Sequence, residues 1–234
     1  MLTETSVEWQ AVVTSLGVAA RALAFTLPLS IVLGWVLARK RFAGYALLDA
    51  LIHAPLVLPP VVVGYVLLLT FGIQSPVGHW LDQTFGVRLV FTAEGAALAA
   101  GIVALPIMVR TVRLSLESID PRLERAAASL GANSWDRFRS ITLPLILPGI
   151  LSAAILGVAI SLGEFGAVIT FAANVPGETQ TLALAIYGAL QLPDGETIAL
   201  RLALISLLIA ITALLAAEWL GRYSRRWQTV SHDR

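Results

Sequence analysis

Residues 120–144, DPRLERAAASLGANSWDRFRSITLP, form a polar segment between two long apolar stretches. Asp120 can cap a short helix with a proline at its first position, and Gly131 supplies the left-handed backbone that ends it. A second short helix is predicted to follow, capped by Asn133 or Ser134. The segment therefore predicts two short helices joined at a glycine.

Apolar stretches flank this segment and recur along the chain. A transmembrane helix needs about 20 consecutive apolar residues, and five stretches reach that length. A content of 57% hydrophobic and 13% charged residues also departs from that of soluble domains. We therefore predict an all-α polytopic membrane helix bundle, with residues 1–234 forming one transmembrane domain. The predicted spans are Val13–Ala38, Leu51–Gly72, Ala93–Val112, Leu145–Phe171 and Ile198–Leu220.

Another apolar run, Thr181–Leu190, is too short to cross a bilayer and is predicted to be a re-entrant or surface helix outside it. The first ten residues contain no Lys or Arg. They therefore lack the basic region of a signal peptide, and the first apolar stretch is expected to remain as a span.

Basic residues predict the orientation of the spans, because Lys and Arg near span ends are retained in the cytoplasm. Of the 16 basic residues, 13 follow span one, lie in or beside the loop after span three, or follow span five. The N-terminus is therefore predicted outside and the C-terminus inside. This orientation places the segment at about 119–144 in the cytoplasm.

Other classes of function receive little support from the composition. A net charge of +1 argues against a nucleic-acid partner, which requires a surplus of basic residues. The absence of cysteine excludes disulfides and thiolate metal sites. The three histidines are far apart and none lies in an HExxH motif, so no metal site is predicted.

Three prolines interrupt the second predicted span, at Pro55, Pro59 and Pro60. Each removes a backbone hydrogen bond and favours a kink, as a moving pathway requires. The alternative is that proline is simply more common in membrane helices than in soluble ones. We predict that Pro59 and Pro60 belong to a pathway or gate.

An aromatic and basic patch is predicted on the second helix of the polar segment, where Trp135, Phe138 and Arg139 share a face. Such a patch on a cytoplasmic loop suits docking to a partner protein. A helix lying on anionic lipid would have the same composition and remains the alternative.

The polar segment resembles the EAA loop of ABC importer permeases, EAA-x3-G-x9-I-x-LP. The small residues, the glycine and the final Ile-x-Leu-Pro match at Ala126, Ala127, Gly131 and 141–144. The family's glutamate falls on Arg125, with Glu124 one residue earlier. The resemblance implies a coupling helix that docks into a cytoplasmic ATPase. The predicted coupling residues are Glu124, Ala126, Ala127, Gly131, Trp135, Arg137, Phe138 and Arg139.

Three further runs resemble the molybdate branch of these permeases, and the resemblance covers nearly the whole chain. They are APLVLPPVVVGY at 54–65, SLGEFGA at 161–167, and NVPGET at 174–179 followed by AIY at 185–187. The resemblance implies the permease subunit of a molybdate importer in a bacterial inner membrane. A sulfate, thiosulfate or tungstate permease is the alternative.

The resemblance also implies partners. Two copies of the chain would enclose one pathway in the membrane lipid, an ABC ATPase dimer would bind below, and a periplasmic molybdate-binding protein would deliver the anion. The only lysine, Lys40, lies outside any GxxxxGK[ST] loop, so ATP and Mg²⁺ are expected on the ATPase and no cofactor on this chain. A membrane-embedded enzyme would need convergent catalytic groups, and a passive channel would not use a docking loop.

Polar residues in the fourth predicted span are further candidates for the pathway or gate. An acid in an apolar span is costly, and Glu164 is therefore hypothesised to fix a gate by hydrogen-bonding a neighbouring helix or a partner subunit, or else to line a wet cavity. Ser161, Thr170 and Thr181 could donate to a passing oxyanion. Their alternative role is to satisfy the backbone of their own helix.

Overall fold

The computed structural model describes residues 4–230, which form helices and connecting loops without a strand. The first half contains α1 (Glu4–Arg39), α2 (Tyr45–Val57), α3 (Pro60–Phe71), α4 (Pro76–Phe85) and α5 (Ala93–Glu117). The second half contains α6 (Pro121–Ser129), α7 (Ser134–Arg137), a π-helical turn (Phe138–Thr142), α8 (Leu143–Gly163), α9 (Gly166–Ala172), α10 (Leu182–Leu190) and α11 (Glu196–Val230).

Four helical segments within the described residues are long and apolar enough to cross a membrane. A fifth is present if α2 and α3, which are bent by 120° at their junction, count as one broken span. The prediction of an all-α bundle with about five spans is confirmed. The four continuous segments are Glu8–Arg39, Ala93–Glu117, Ser134–Gly163 and Glu196–Ala213.

Two predicted spans are not continuous helices. Leu51–Gly72 is divided between α2 and α3 because Pro59 has no N–H to donate, while Pro60 suits the first position of a new helix. Leu145–Phe171 is interrupted after Gly163, where Glu164 takes an extended backbone conformation (φ −71°, ψ 129°) before α9 begins. Both spans are therefore helix–break–helix elements.

Helix α5 occupies the centre of the bundle, packed between α1 and α8. Its inner positions are mostly alanine and glycine, which allow close helix approach inside a membrane. A Cβ atom on Gly101 would lie 2.5 Å from the Phe25 ring of α1, and one on Gly157 of α8 would lie 2.6 Å from Met108 Sδ of α5. The small residues thus set the spacing of the three central helices.

Exposed apolar side chains occur at both ends of α1. At 100° per residue, Trp9, Val13 and Leu16 share one side of the helix near its start, whereas a stripe near its end lies on a different side. In a membrane protein such a face suits contact with lipid. The stripe consists of Leu29, Val32 and Trp35.

The prediction of a short helix at Thr181–Leu190 is confirmed by α10. This helix packs against α1 and α11, with Ala11, Leu182 and Leu202 in one buried cluster. Its first N–H, from Leu182, donates to the Ser15 hydroxyl at 2.7 Å. Helix α10 is therefore attached to the long helices.

Candidate functional site

The segment 119–144 folds locally as its sequence predicts. Asp120 caps α6 by accepting from the N–H two residues later, at 2.8 Å. Gly131 has a φ of +86°, the left-handed conformation predicted for the joint. Asn133 caps α7 by accepting from the next two backbone N–H groups at 2.9 Å each. These polar contacts fix where each helix begins.

The prediction that the second helix is a separate short element is wrong. Residues 134–163 form one helical segment of 30 residues, in which α7 continues through the π-helical turn into α8. Pro144 lacks an N–H, and its ring would clash with the carbonyl of Ser140 in a regular helix. The wider π turn lies directly before this proline and keeps the helix continuous. The 119–144 segment is thereby joined directly to a membrane span.

Among the exposed side chains of α6, α7 and the residues that follow α6, several are apolar or aromatic. Leu123 and Leu130 are 48% and 89% exposed, and Ala126 between them is also exposed. Trp135 is 66% exposed and stacks on Phe138, with ring centroids 5.7 Å apart. The two leucines were missed in the sequence, although their spacing from Ala126 indicates one helical face.

Glu124 does not face outward, because its carboxylate bonds to two side chains of its own chain. Its Oε1 accepts from Arg39 Nη2 at 2.7 Å and from Thr142 Oγ1 at 3.0 Å. These bonds tie α6 to the end of α1 and to the π-helical turn. Of the other predicted coupling residues, Arg139 is exposed, whereas Arg137 donates to the Ser134 hydroxyl at 3.0 Å.

Two of the predicted gate residues, Pro60 and Thr170, lie where α3 meets α9. Both helices begin directly after a break in a span, and glycines bring their backbones close together. A Cβ on Gly166 would lie 2.9 Å from Pro60 Cβ, and one on Gly64 would lie 2.6 Å from the Ala167 carbonyl oxygen. The same hypothetical Gly64 Cβ would lie 2.8 Å from Thr170 Cβ. Pro59 is exposed at the break itself.

Glu164 lies in the break between α8 and α9 and is 7% exposed. Its Oε1 accepts from the Ala167 N–H at 2.8 Å, so its carboxylate caps α9. This contact is local, three residues along the chain, so the hypothesised bond to a neighbouring helix or a partner subunit stays a prediction. Since α9 packs on α3, the carboxylate holds one side of the α3–α9 contact in place.

The three candidate hydroxyls differ in their surroundings. Thr170 donates to the Gly166 carbonyl at 2.8 Å and so satisfies its own helix backbone. Ser161 is buried in the last turn of α8. The buried Thr181 hydroxyl has no hydrogen-bond partner among the described residues. Thr170 is therefore occupied, as the alternative interpretation predicted.

Comparison with known families gives a match over most of the chain. Residues 30–226 match the family described as binding-protein-dependent transport system inner membrane component.

Three proteins of known name align in sequence with most of the chain. The chain is 51% identical over 221 residues to the molybdenum transport system permease protein ModB of Escherichia coli K12, covering 94% of this chain and 96% of that one. ModB of Haemophilus influenzae is 49% identical over 215 residues, covering 92% and 94%. The sulfate transport system permease protein CysT of E. coli K12 is 38% identical over 161 residues, covering 69% and 58%.

Solved structures share the fold at low sequence identity. A bacterial alginate ABC transporter, in complex with a periplasmic protein carrying an alginate pentasaccharide, matches with a TM-score of 0.74 and 18% identity. The match covers 92% of this chain and 78% of that one. The inward-facing MetNI methionine ABC transporter matches with a TM-score of 0.67 and 15% identity, covering 94% and 95%.

Proposed function

The chain belongs to the family of binding-protein-dependent transport system inner membrane components, and we propose that it is the permease subunit of an ATP-driven molybdate importer. It is a multi-pass protein of the inner membrane. The observation that supports molybdate most strongly is the 51% identity to a molybdenum permease over 94% of the chain. The sulfate permease is less similar, over only 69% of the chain.

The geometry of the 119–144 segment suits coupling to an ATPase. The outward face of Leu123, Ala126, Leu130 and Trp135 is apolar and unpartnered in the described part of the chain, and on a cytoplasmic loop it would be covered by docking. The continuous helix from residue 134 to 163 would carry movement of the docked segment into the membrane.

The α3–α9 contact suits a gate. The breaks that precede the two helices leave each short and separate from the longer helix before it. A small rotation of α8 would therefore displace Glu164 and the end of α9 that it caps. Rocking of such elements around a central pathway is the usual basis of alternating access.

The complete transporter would contain two copies of this chain, a dimeric ATPase on the cytoplasmic side and a periplasmic molybdate-binding protein. The N-terminus would face the periplasm, and the C-terminus the cytoplasm. The permease would be non-catalytic and bind no cofactor, since ATP and Mg²⁺ would bind the ATPase. The resemblance to transporters that use a binding protein supports this assembly.

Transport in proteoliposomes tests this proposal. The purified permease is reconstituted with its ATPase and binding protein, and uptake of labelled molybdate is measured with and without ATP. We expect uptake to require ATP and to resist a large excess of sulfate. The binding protein is kept the same in both arms, and equal transport of sulfate under these conditions would contradict the molybdate assignment.

A passive channel is tested by the same preparation. A channel would conduct molybdate down its gradient without ATP or an ATPase, and it would not co-purify with an ATPase. Uptake that continues at full rate after removal of the ATPase would therefore favour the channel.

A further inference from the structure

A cavity lies at the end of α1 where its exposed apolar stripe meets the 119–144 segment. Trp9 and Trp35 are exposed near opposite ends of α1 and are separated along it by about 39 Å, at 1.5 Å per residue. A bilayer including its headgroups is about 40–45 Å thick, and tryptophan is enriched at both of its surfaces. The cavity is therefore at the depth of the lipid headgroups.

The cavity has a volume of about 570 Å³ and two kinds of wall. The side toward the membrane is apolar, formed by Ile31, Val32 and Ile146. The side toward the loop carries tryptophan rings and charged groups. These residues are Trp35, Arg39, Lys40, Glu124, Trp135 and Arg137. A ligand that fits both walls has an apolar part and a polar part.

The charge of the cavity is positive. Arg39 is neutralised by Glu124 at 2.7 Å, whereas Lys40 and Arg137 pair with no carboxylate among the side chains that the structure describes. Arg137 Nε is buried and lacks a hydrogen-bond partner in that part of the chain. Lys40 Nζ lies 5.4 Å from the centroid of the Trp35 ring. Lys40 and Arg137 thus leave two cations without a neutralising carboxylate on the cavity wall.

We propose that this cavity binds the headgroup of an anionic phospholipid. The phosphate would accept from Lys40 and Arg137, and an acyl chain would lie along the stripe past Val32. Basic pockets at the cytoplasmic ends of transmembrane helices are suited to anionic headgroups. The proposal depends on the location of the chain in a membrane and not on the transported ion.

The bound lipid would contact the coupling segment as well as α1. The cavity walls include Trp135 and Arg137 of α7 and the Glu124 that joins α6 to α1. The lipid would thus bridge the end of α1 and the element proposed to dock with the ATPase.

Native mass spectrometry of the full-length permease tests the proposal. Binding of phosphatidylglycerol is compared with that of phosphatidylcholine carrying the same acyl chains. We expect wild-type protein to bind phosphatidylglycerol about 25-fold more tightly, at about five-fold for each of the two charges. The double variant Lys40→Gln/Arg137→Gln should lose about five-fold per charge, or about 25-fold in all, while its binding of phosphatidylcholine stays unchanged.

Three controls make the result decisive. Arg122→Gln removes an exposed cation from α6 outside the cavity and should leave phosphatidylglycerol binding unchanged. If the double variant fails to fold, Lys40→Gln alone, at an exposed helix end, should still lower binding about five-fold. Millimolar inorganic phosphate should not displace the lipid, because it lacks the acyl chain.

Equal binding of the two lipids by wild-type protein would overturn the proposal. It would also be overturned if the double variant kept its phosphatidylglycerol or if Arg122→Gln lost it equally. Displacement of the lipid by inorganic phosphate alone would show that the cavity is a site for free anions.

Discussion

Gly131 joins α6 to α7 with a left-handed backbone, and a Cβ at this position would meet no atom within 4 Å. The constraint there is therefore the backbone conformation and not the available space. Gly131→Val should cost about 1–3 kcal/mol and redirect α6, because a β-branched residue is unfavourable at positive φ. ATPase binding and uptake should fall, while insertion and dimer formation should be preserved.

The matched control is Gly131→Asn, since asparagine tolerates the left-handed region best among non-glycine residues. Membrane-extracted dimer, bound ATPase and uptake are measured in one preparation of each variant. Normal uptake by the valine variant would show that the segment is not the coupling element.

Glu164 offers a second test at the level of one side chain. Its contact with Ala167 N–H requires an acceptor oxygen but not a charge. Glu164→Gln should therefore retain most of the transport. Glu164→Ala should lose transport and about 0.5–2 kcal/mol of stability through loss of the cap. Uptake and thermal unfolding distinguish the two, and equal loss in both variants would show that the negative charge is required.

Local chemistry made the caps and the glycine joint predictable from sequence. Asp120, Asn133 and Gly131 act within three residues of their own positions, so the sequence contains the information needed. The partners of Glu124 could not be predicted in this way. Arg39 is 85 positions away from it, and only the packing of α1 against the rest of the bundle brings the two together.

Helices α3 and α9 depend on close backbone contact. A methyl group on Gly64 would lie 2.6 Å from the Ala167 carbonyl oxygen, so one of the two helices would have to move. Gly64→Ala should cost about 1–3 kcal/mol and reduce uptake. Gly163→Ala is the control, because its Cβ would meet nothing within 4 Å. Thermal unfolding and uptake of both variants are compared, and equal behaviour would argue against a tight α3–α9 contact.

The Arg39–Glu124 ion pair connects two helices that are separate in sequence. Charge reversal at either position alone, Arg39→Glu or Glu124→Arg, should loosen α6 from α1 and raise the ATP hydrolysed per molybdate transported. The double reversal should restore coupling in part. A double-mutant cycle on stability should give an interaction of about 1–2 kcal/mol, as the pair is partly exposed.

In this experiment the two single variants serve as references for the double. No recovery in the double variant would mean that the pair does not transmit coupling.

At the level of elements, hydropathy located every long helix but not the breaks within spans. The apolar run from 145 to 171 has no charged residue except Glu164, and apolar content alone does not show where a helix ends. The break becomes visible only with the Glu164–Ala167 bond, in which the side chain replaces a helical hydrogen bond. The prolines of the second span made its bend easier to anticipate, although not its angle of 120°.

The orientation of the whole chain can be tested without removing any native thiol, since the sequence contains no cysteine. Glu178→Cys lies in the exposed loop between α9 and α10, and Ala128→Cys is exposed on α6. In intact spheroplasts, an impermeant maleimide should label residue 178 and not residue 128. After lysis both should react. Labelling of residue 178 only after lysis would contradict the predicted orientation.

The unbroken helix from residue 134 to residue 163 would act as a lever in the proposed coupling. At 1.5 Å per residue it is about 45 Å long, so a tilt of about 10° at one end displaces the other by about 8 Å. The π-helical turn accommodates Pro144 without ending the helix. A small angular stroke at the cytoplasmic end would thereby be amplified at Glu164, which directly follows the last residue of α8.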